Sequence, residues 1–167
     1  MNKILLLLLI AAGANAQQLT CTNGVAQIQQ IIPIDGKTAP DIYKLATRWV
    51  AKNFHNKDKV IQSTIENELI RGDGYEDKVI KMGLTSAGLK FTFTLDIKDG
   101  KMRFTIDNMK SIVAGYAPYD VETYCCKKDG SLKTNYQANG IREDIEKFAA
   151  RLIESFNKTQ NEKGDDW

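Results

Sequence analysis

The sequence predicts a two-layer α+β domain, in the order strand, helix, four strands, helix, with one antiparallel sheet and both helices on its apolar face. Three observations carry this. Ile42, Leu45, Ala46, Trp49, Val50 and Phe54 recur at helical spacing, and so do Ile141, Ile145, Phe148, Ala149, Leu152 and Phe156. Between them, Phe91, Phe93, Leu95 and Ile97 alternate with polar residues, and after Asp99-Gly100 the alternation resumes at Met102, Phe104 and Ile106.

The chain of 167 residues opens on Lys3, an unbroken apolar run from Ile4 to Ala12, and the A-x-A signal Ala14-Asn15-Ala16. This is the pattern of a secretory signal peptide over residues 1–16. The run falls far short of the roughly 20 apolar residues a membrane span needs. A periplasmic or secreted protein is therefore expected, and a transmembrane one excluded. Gln18-Leu19-Thr20 before Cys21 lacks the small residue of a lipoprotein signal, so no membrane anchor is expected. Residues 17–26 read as an N-terminal segment, 27–158 as a single domain and 159–167 as a polar tail. The formal net charge of +2 falls to +1 without Lys3, leaving no electrostatic reason to bind nucleic acid. With 43% hydrophobic and 26% charged residues, the composition is that of a folded domain.

The first strand is the β-prone run Gln27–Ile34, which ends at Asp35-Gly36, with Pro33 marking an edge or an end. Thr38 then suits a helix N-cap, with Pro40 and Asp41 in the first turn of a helix of about 15 residues. Three weaker strand segments follow, Val60–Glu66, Glu68–Arg71 and Glu76–Leu84, separated by Asn67 and by Gly72-Asp73-Gly74. The stretch Thr85-Ser86-Ala87-Gly88 reads as a loop. Asp99-Gly100 between two alternating runs is a type I′ hairpin signal. A two-residue turn there pairs Ile97 with Met102, Leu95 with Phe104 and Phe93 with Ile106 on the core side. On the wet side Asp96 then faces Arg103, and Thr94 faces Thr105. Residues 111–140 are less regular and hold four of the six tyrosines. The last helix is expected to start near Gly140, with Glu143 and Asp144 in its favourable first turn, and to fray from Asn157.

Cys21, Cys125 and Cys126 are an odd set for an oxidising compartment. Cys21 bonded to either member of the adjacent pair closes a loop of about 105 residues, worth roughly 4–5 kcal/mol. A vicinal Cys125–Cys126 bond is the alternative.

The segments GKTAPDIYKLATRWVAKNF (Gly36–Phe54), VIQ (Val60–Gln62) and FTFTLDIKDGKMRFTIDNM (Phe91–Met109) resemble an exported bacterial family. That family is described as a domain of unknown function with a TBP-like (TATA-binding-protein-like) fold. The resemblance implies a curved antiparallel sheet carrying two helices on one face. It brings no catalytic residues, and segment 111–140 departs from it.

Catalytic chemistry has little to draw on. The single histidine, His55, stands at a helix end, where it suits the helix dipole. There is no G-x-S-x-G elbow, no C-x-x-C and no H-x-x-x-H spacing, and Gly72-Asp73-Gly74 is not a calcium loop. No metal and no cofactor is expected. Two surfaces remain as candidate binding sites. One is the polar sheet face with Thr92, Thr94, Asp96, Arg103, Thr105 and Asp107; the other is the tyrosine-rich stretch with Tyr116, Tyr119 and Tyr124. The expectation is an exported, non-enzymatic binding or structural module of the bacterial cell envelope whose partner is an envelope protein or a glycan. The alternatives are a small hydrolase or ligand-processing enzyme with a cleft near His55, and an inhibitor of a secreted enzyme acting through residues 116–124.

Overall fold

The computed structural model describes residues 17–54 and 60–162. The proposed leader and His55 lie outside the described residues. Among the described residues, one antiparallel sheet holds seven strands: β1 (Leu19–Thr22), β2 (Val25–Pro33), β3 (Ile61–Ile65), β4 (Leu69–Met82), β5 (Thr85–Lys98), β6 (Lys101–Ile112) and β7 (Tyr119–Asp120). Their spatial order is β1-β2-β6-β5-β4-β3, with β7 beside the far end of β6. The helices are α1 (Ala39–Asn53), α2 (Val121–Cys125) and α3 (Tyr136–Asn161). The expected α+β architecture stands; β1, β7 and the short helix α2 are additions, and the segments Glu68–Arg71 and Glu76–Leu84 are one strand, β4.

Each long helix buries most of its expected stripe, with Phe54, Ile141 and Leu152 half-buried. In α1 the buried residues are Ile42, Leu45, Ala46, Trp49 and Val50; in α3 they include Ile145, Phe148, Ala149 and Phe156. Trp49 is fully buried, and Phe54, Phe93, Phe104 and Phe156 meet its ring edge-on at centroid distances of 5.6–6.1 Å. Its indole N–H donates to Ser155 Oγ at 2.7 Å, so the one polar atom of this cluster is satisfied. Thr38 begins α1 as expected. Both its hydroxyl (2.8 Å) and its main-chain N–H (3.4 Å) donate to Asp41 Oδ2, which holds that carboxyl below its usual pKa.

The β5–β6 hairpin has the expected register: Ile97 opposite Met102, Leu95 opposite Phe104, Phe93 opposite Ile106, Asp96 opposite Arg103 and Thr94 opposite Thr105. Its turn is not type I′, because a positive φ is found at Gly100 (73°) and not at Asp99. Tertiary bonds account for this. Asp99 Oδ1 accepts from the Ala39 N–H at the start of α1 (2.7 Å), while Gly100 bonds through its main chain to Ile34 and Lys37. A turn of the type I′ pattern lies instead at Asn23-Gly24, with φ of 51° and 80°, joining β1 to β2. Leu19–Thr22 and Val25–Ala26, within the expected N-terminal segment, are therefore part of the sheet.

Three further expectations are overturned. Gly72-Asp73-Gly74 is not a turn; it lies within β4, which runs unbroken from Leu69 to Met82. Both glycines face the core beneath aromatic rings: a Cβ on Gly72 would sit 2.6 Å from Phe93 Cζ, and one on Gly74 2.4 Å from Phe91 Cζ. Glycine here means close packing rather than a bend. Thr85–Gly88 is strand, because the real turn is Gly83-Leu84 between the paired Met82 and Thr85. Finally, α3 starts at Tyr136, where Asn135 Oδ1 accepts from the Ala138 N–H at 2.8 Å, and it runs past Asn157 to Asn161 with Thr159 buried.

A disulfide joins Cys21 in β1 to Cys126 just after α2, with Cα atoms 5.7 Å apart and 105 positions between them in sequence. Cys125 is a buried free thiol, which burial pushes up to about 11, with Arg142 partly opposing. That environment keeps the thiol un-ionised and unreactive at neutral pH.

Candidate functional site

The two surfaces expected from sequence differ in what they leave available. On the open sheet face, Thr92, Thr94, Asp96, Arg103 and Thr105 do come together, but their polar groups are bonded to one another or to Arg71, Asp73 and Gln29. Arg103 Nε donates to Asp96 Oδ2 (3.0 Å), Arg71 Nη1 to Thr94 Oγ1 (3.1 Å), Thr92 Oγ1 to Asp73 Oδ1 (2.8 Å) and Gln29 Nε2 to Thr105 Oγ1 (3.3 Å). The expected wet face holds for Arg103 but fails for Thr92 and Thr105. These are 1% and 8% exposed, Thr92 bonded to Asp73 and Asn108 and Thr105 to Gln29. Asp107 is the exception to saturation: its buried Oδ1 has no hydrogen bond among the described residues, only Arg71 Nη2 at 3.9 Å.

The tyrosine segment leads to a cleft of about 950 Å³. One wall is the first three turns of α3, from Tyr136 to Lys147. The opposite wall is Tyr119 in β7 and Tyr124 in α2, whose rings meet edge-on at 6.2 Å. Ser111 and Val113 at the end of β6, and Ile80 to Gly83 at the end of β4, complete it. Sequence and site connect here through irregular structure. After Ile112 the chain turns back, adds Tyr119-Asp120 beside Ser111 and Lys110, and makes the single short helix α2, which presents Tyr124. The Cys21–Cys126 bond pins the residue just after that helix to the edge strand. Tyr116 is outside the cleft lining and 68% exposed.

Several groups in the cleft were not singled out from sequence. Tyr136 is 96% exposed on the α3 rim. Gly140 leaves the helix bare where it faces the cleft, and a Cβ there would meet nothing within 4 Å. Asn139 Nδ2 donates weakly to Thr134 O (3.3 Å), while its Oδ1 is buried without a partner among the described residues. Asp144 Oδ2 accepts from the Lys81 N–H at 2.9 Å, and Glu143 faces Lys147 at 3.7 Å. The usable signal was Asn135, an N-cap residue five positions ahead of the helix start expected near Gly140. It would have placed Tyr136, Gly140 and Glu143 on one helical face.

Among the described residues, no three of His, Cys, Asp and Glu gather as metal ligands, and no helix is long and apolar enough to cross a membrane. Phe54 and Val60, which flank the stretch containing His55, line a smaller hollow of about 400 Å³ with Asp73 and Glu76.

Comparison with known proteins agrees with this architecture. Residues 29–111 match the family described as "Domain of unknown function (DUF4468) with TBP-like fold". A DUF4468 family protein from Bacteroides ovatus superposes with a TM-score of 0.69 at 16% identity, covering 88% of this chain and 92% of the other. A TBP-like protein from Parabacteroides distasonis gives 0.61 at 13% identity, covering 85% and 97%. Identities this low speak to the fold alone. No curated protein matches the chain. The family match and the two superpositions lead to one conclusion: through residues 29–111, the chain belongs to the DUF4468 family of TBP-like domains of unknown function.

Proposed function

We propose that this protein is an exported, non-enzymatic binding module of the bacterial cell envelope, and that it takes its ligand in the tyrosine-lined cleft. The observation that carries the reading is Gly140. It stands exposed in the second turn of a 26-residue helix, where a Cβ would meet nothing within 4 Å, and it lines the same cleft as Tyr119 and Tyr124. A glycine inside a helix costs about 1 kcal/mol relative to alanine, and no contact within the fold offsets it. An open concave surface with exposed aromatics and a few polar groups is the usual form of a ligand site. Export is supported by the leading apolar run with its A-x-A signal and by the Cys21–Cys126 bond, which persists only under oxidising conditions.

The test is a pull-down from envelope extract with wild type, Gly140→Leu, Tyr119→Ala and Arg103→Glu. A component retained by Arg103→Glu and lost with the other two variants supports the cleft. A component lost only with Arg103→Glu moves the site to the open sheet face, and one lost with none of them refutes both surfaces. Export is read separately: the N-terminus of protein recovered from the periplasm should be Gln17.

A further inference from the structure

We infer that the ligand class of this cleft is a neutral oligosaccharide, an inference that rests on the cleft being the binding site. Charge is the first argument. Among the described residues, the charged side chains lining the cleft are Lys81 and Lys147 against Glu143 and Asp144. Glu143 and Lys147 face each other at 3.7 Å, and Asp144 is bonded to the Lys81 main chain. The lining carries no excess of either sign to draw in a phosphate, a nucleotide or a polyanion.

The polar groups are the second argument. Gln137, Tyr119, Tyr124 and Tyr136 line the cleft and carry one side-chain amide and three hydroxyls. Sugar hydroxyls both donate to and accept from groups of these kinds. The aromatic residues are the third. Tyr119 and Tyr136 are 43% and 96% exposed beside the cleft. The C–H faces of a pyranose carry slight positive charge and rest against the negative face of an aromatic ring. The open groove over Gly140 admits a flat ring against bare helix.

An extended peptide is the competing occupant, and the strand edge argues against it. Strand addition needs free main-chain donors along an edge. On the side of β4 beyond its pairing with β3, the Lys81 N–H is already held by Asp144. What remains in the cleft is side-chain amide, hydroxyl and aromatic surface, with Ile80, Met82, Val113 and Ile141 as its apolar part.

The test uses isothermal titration of the mature chain with neutral cello-, xylo-, manno- and maltohexaose, and in parallel with a random hexapeptide mixture. At least one hexasaccharide should bind with a Kd at or below about 1 mM. Gly140→Leu should weaken that binding more than about tenfold while melting no lower than wild type, since it fills empty space and improves helix propensity. Tyr136→Ala should weaken it about tenfold, and Arg103→Ala should leave it unchanged. Saccharide binding that survives Gly140→Leu overturns the inference. Peptide binding that Gly140→Leu abolishes, with no saccharide bound, overturns the ligand class and leaves the cleft as the site. If neither probe binds, both readings fall.

Discussion

Replacing Gly74 with alanine tests the least expected part of the fold, the unbroken β4 strand. Read as a turn, Gly72-Asp73-Gly74 would tolerate alanine at little cost wherever φ is negative. In the structure the new methyl carbon would lie 2.4 Å from Phe91 Cζ and 2.9 Å from Phe54 Cε1. Carbon atoms prefer about 3.5–4.0 Å, so Phe91 must retreat by roughly 1 Å. It has little room, being 1% exposed and packed against Phe148 at a centroid distance of 5.0 Å. Overpacking of this kind costs about 1–3 kcal/mol. Loss of glycine freedom in the unfolded chain returns about 0.4–1 kcal/mol. The net expectation is a loss of about 1–2 kcal/mol, or a melting point lower by about 2–8 °C for a domain of this size. Urea unfolding followed by Trp49 fluorescence and a calorimetric scan would measure both. A double variant adding Phe91→Leu should show favourable coupling, because the smaller side chain makes room for the methyl. A Gly74→Ala protein as stable as wild type, or one uncoupled from Phe91, would refute the close packing and restore the turn.

Other consequences can be checked with the same assays. Replacing Cys21 and Cys126 with serine should lower stability by roughly 4–5 kcal/mol on the loop-entropy estimate; a urea midpoint indifferent to this change, and to reductant in wild type, would argue against the Cys21–Cys126 bond. Cys125 should resist iodoacetamide in the native protein at pH 8 and react in urea. Because burial raises its pKa to about 11, its neutral form contributes stability below the ordinary thiol value of about 8.5. That contribution is lost as pH climbs toward about 11. Cys125→Ala should remove this alkaline decline, and an unchanged pH profile would contradict it. Ser155→Ala orphans the Trp49 indole N–H, bonded at 2.7 Å, and should destabilise by about 1–3 kcal/mol; a loss under about 0.5 kcal/mol would show that water or another group replaces Ser155.

What could be read from sequence was whatever depends on periodicity alone. The stripes of α1 and α3, the Thr38 cap and the β5–β6 register all follow from residues a few positions apart. What could not be read depends on residues far away. Gly72 and Gly74 look like turn residues until Phe93 and Phe91 are placed above them. The strand pattern of β4 is blurred where Lys78 takes a φ of 56° and the register with β5 shifts between Glu76 and Ile80. The candidate site divides in the same way. Tyr119 and Tyr124 were visible as tyrosines suited to an interface, whereas Gly140 reads as a helix boundary until Asn135 is recognised as the cap. Asn139 gains interest only from the bond its oxygen lacks, which no spacing rule exposes.

Two carboxylates of α3 also bear on how the chain assembles. Glu146 Oε1 accepts from the main-chain N–H of Leu19 in β1 (2.9 Å), and Asp144 accepts from that of Lys81 in β4. The final helix thus fastens two strands that are not neighbours, one of them the outermost strand of the sheet. These closures span 127 and 63 positions, so both must wait for the last part of the chain to be synthesised. Until then the nascent sheet presents unpaired main-chain donors, the feature that invites strand-to-strand association between chains. A chain truncated before Tyr136 should accordingly self-associate more readily than the full-length chain, in which the Leu19 and Lys81 donors are satisfied.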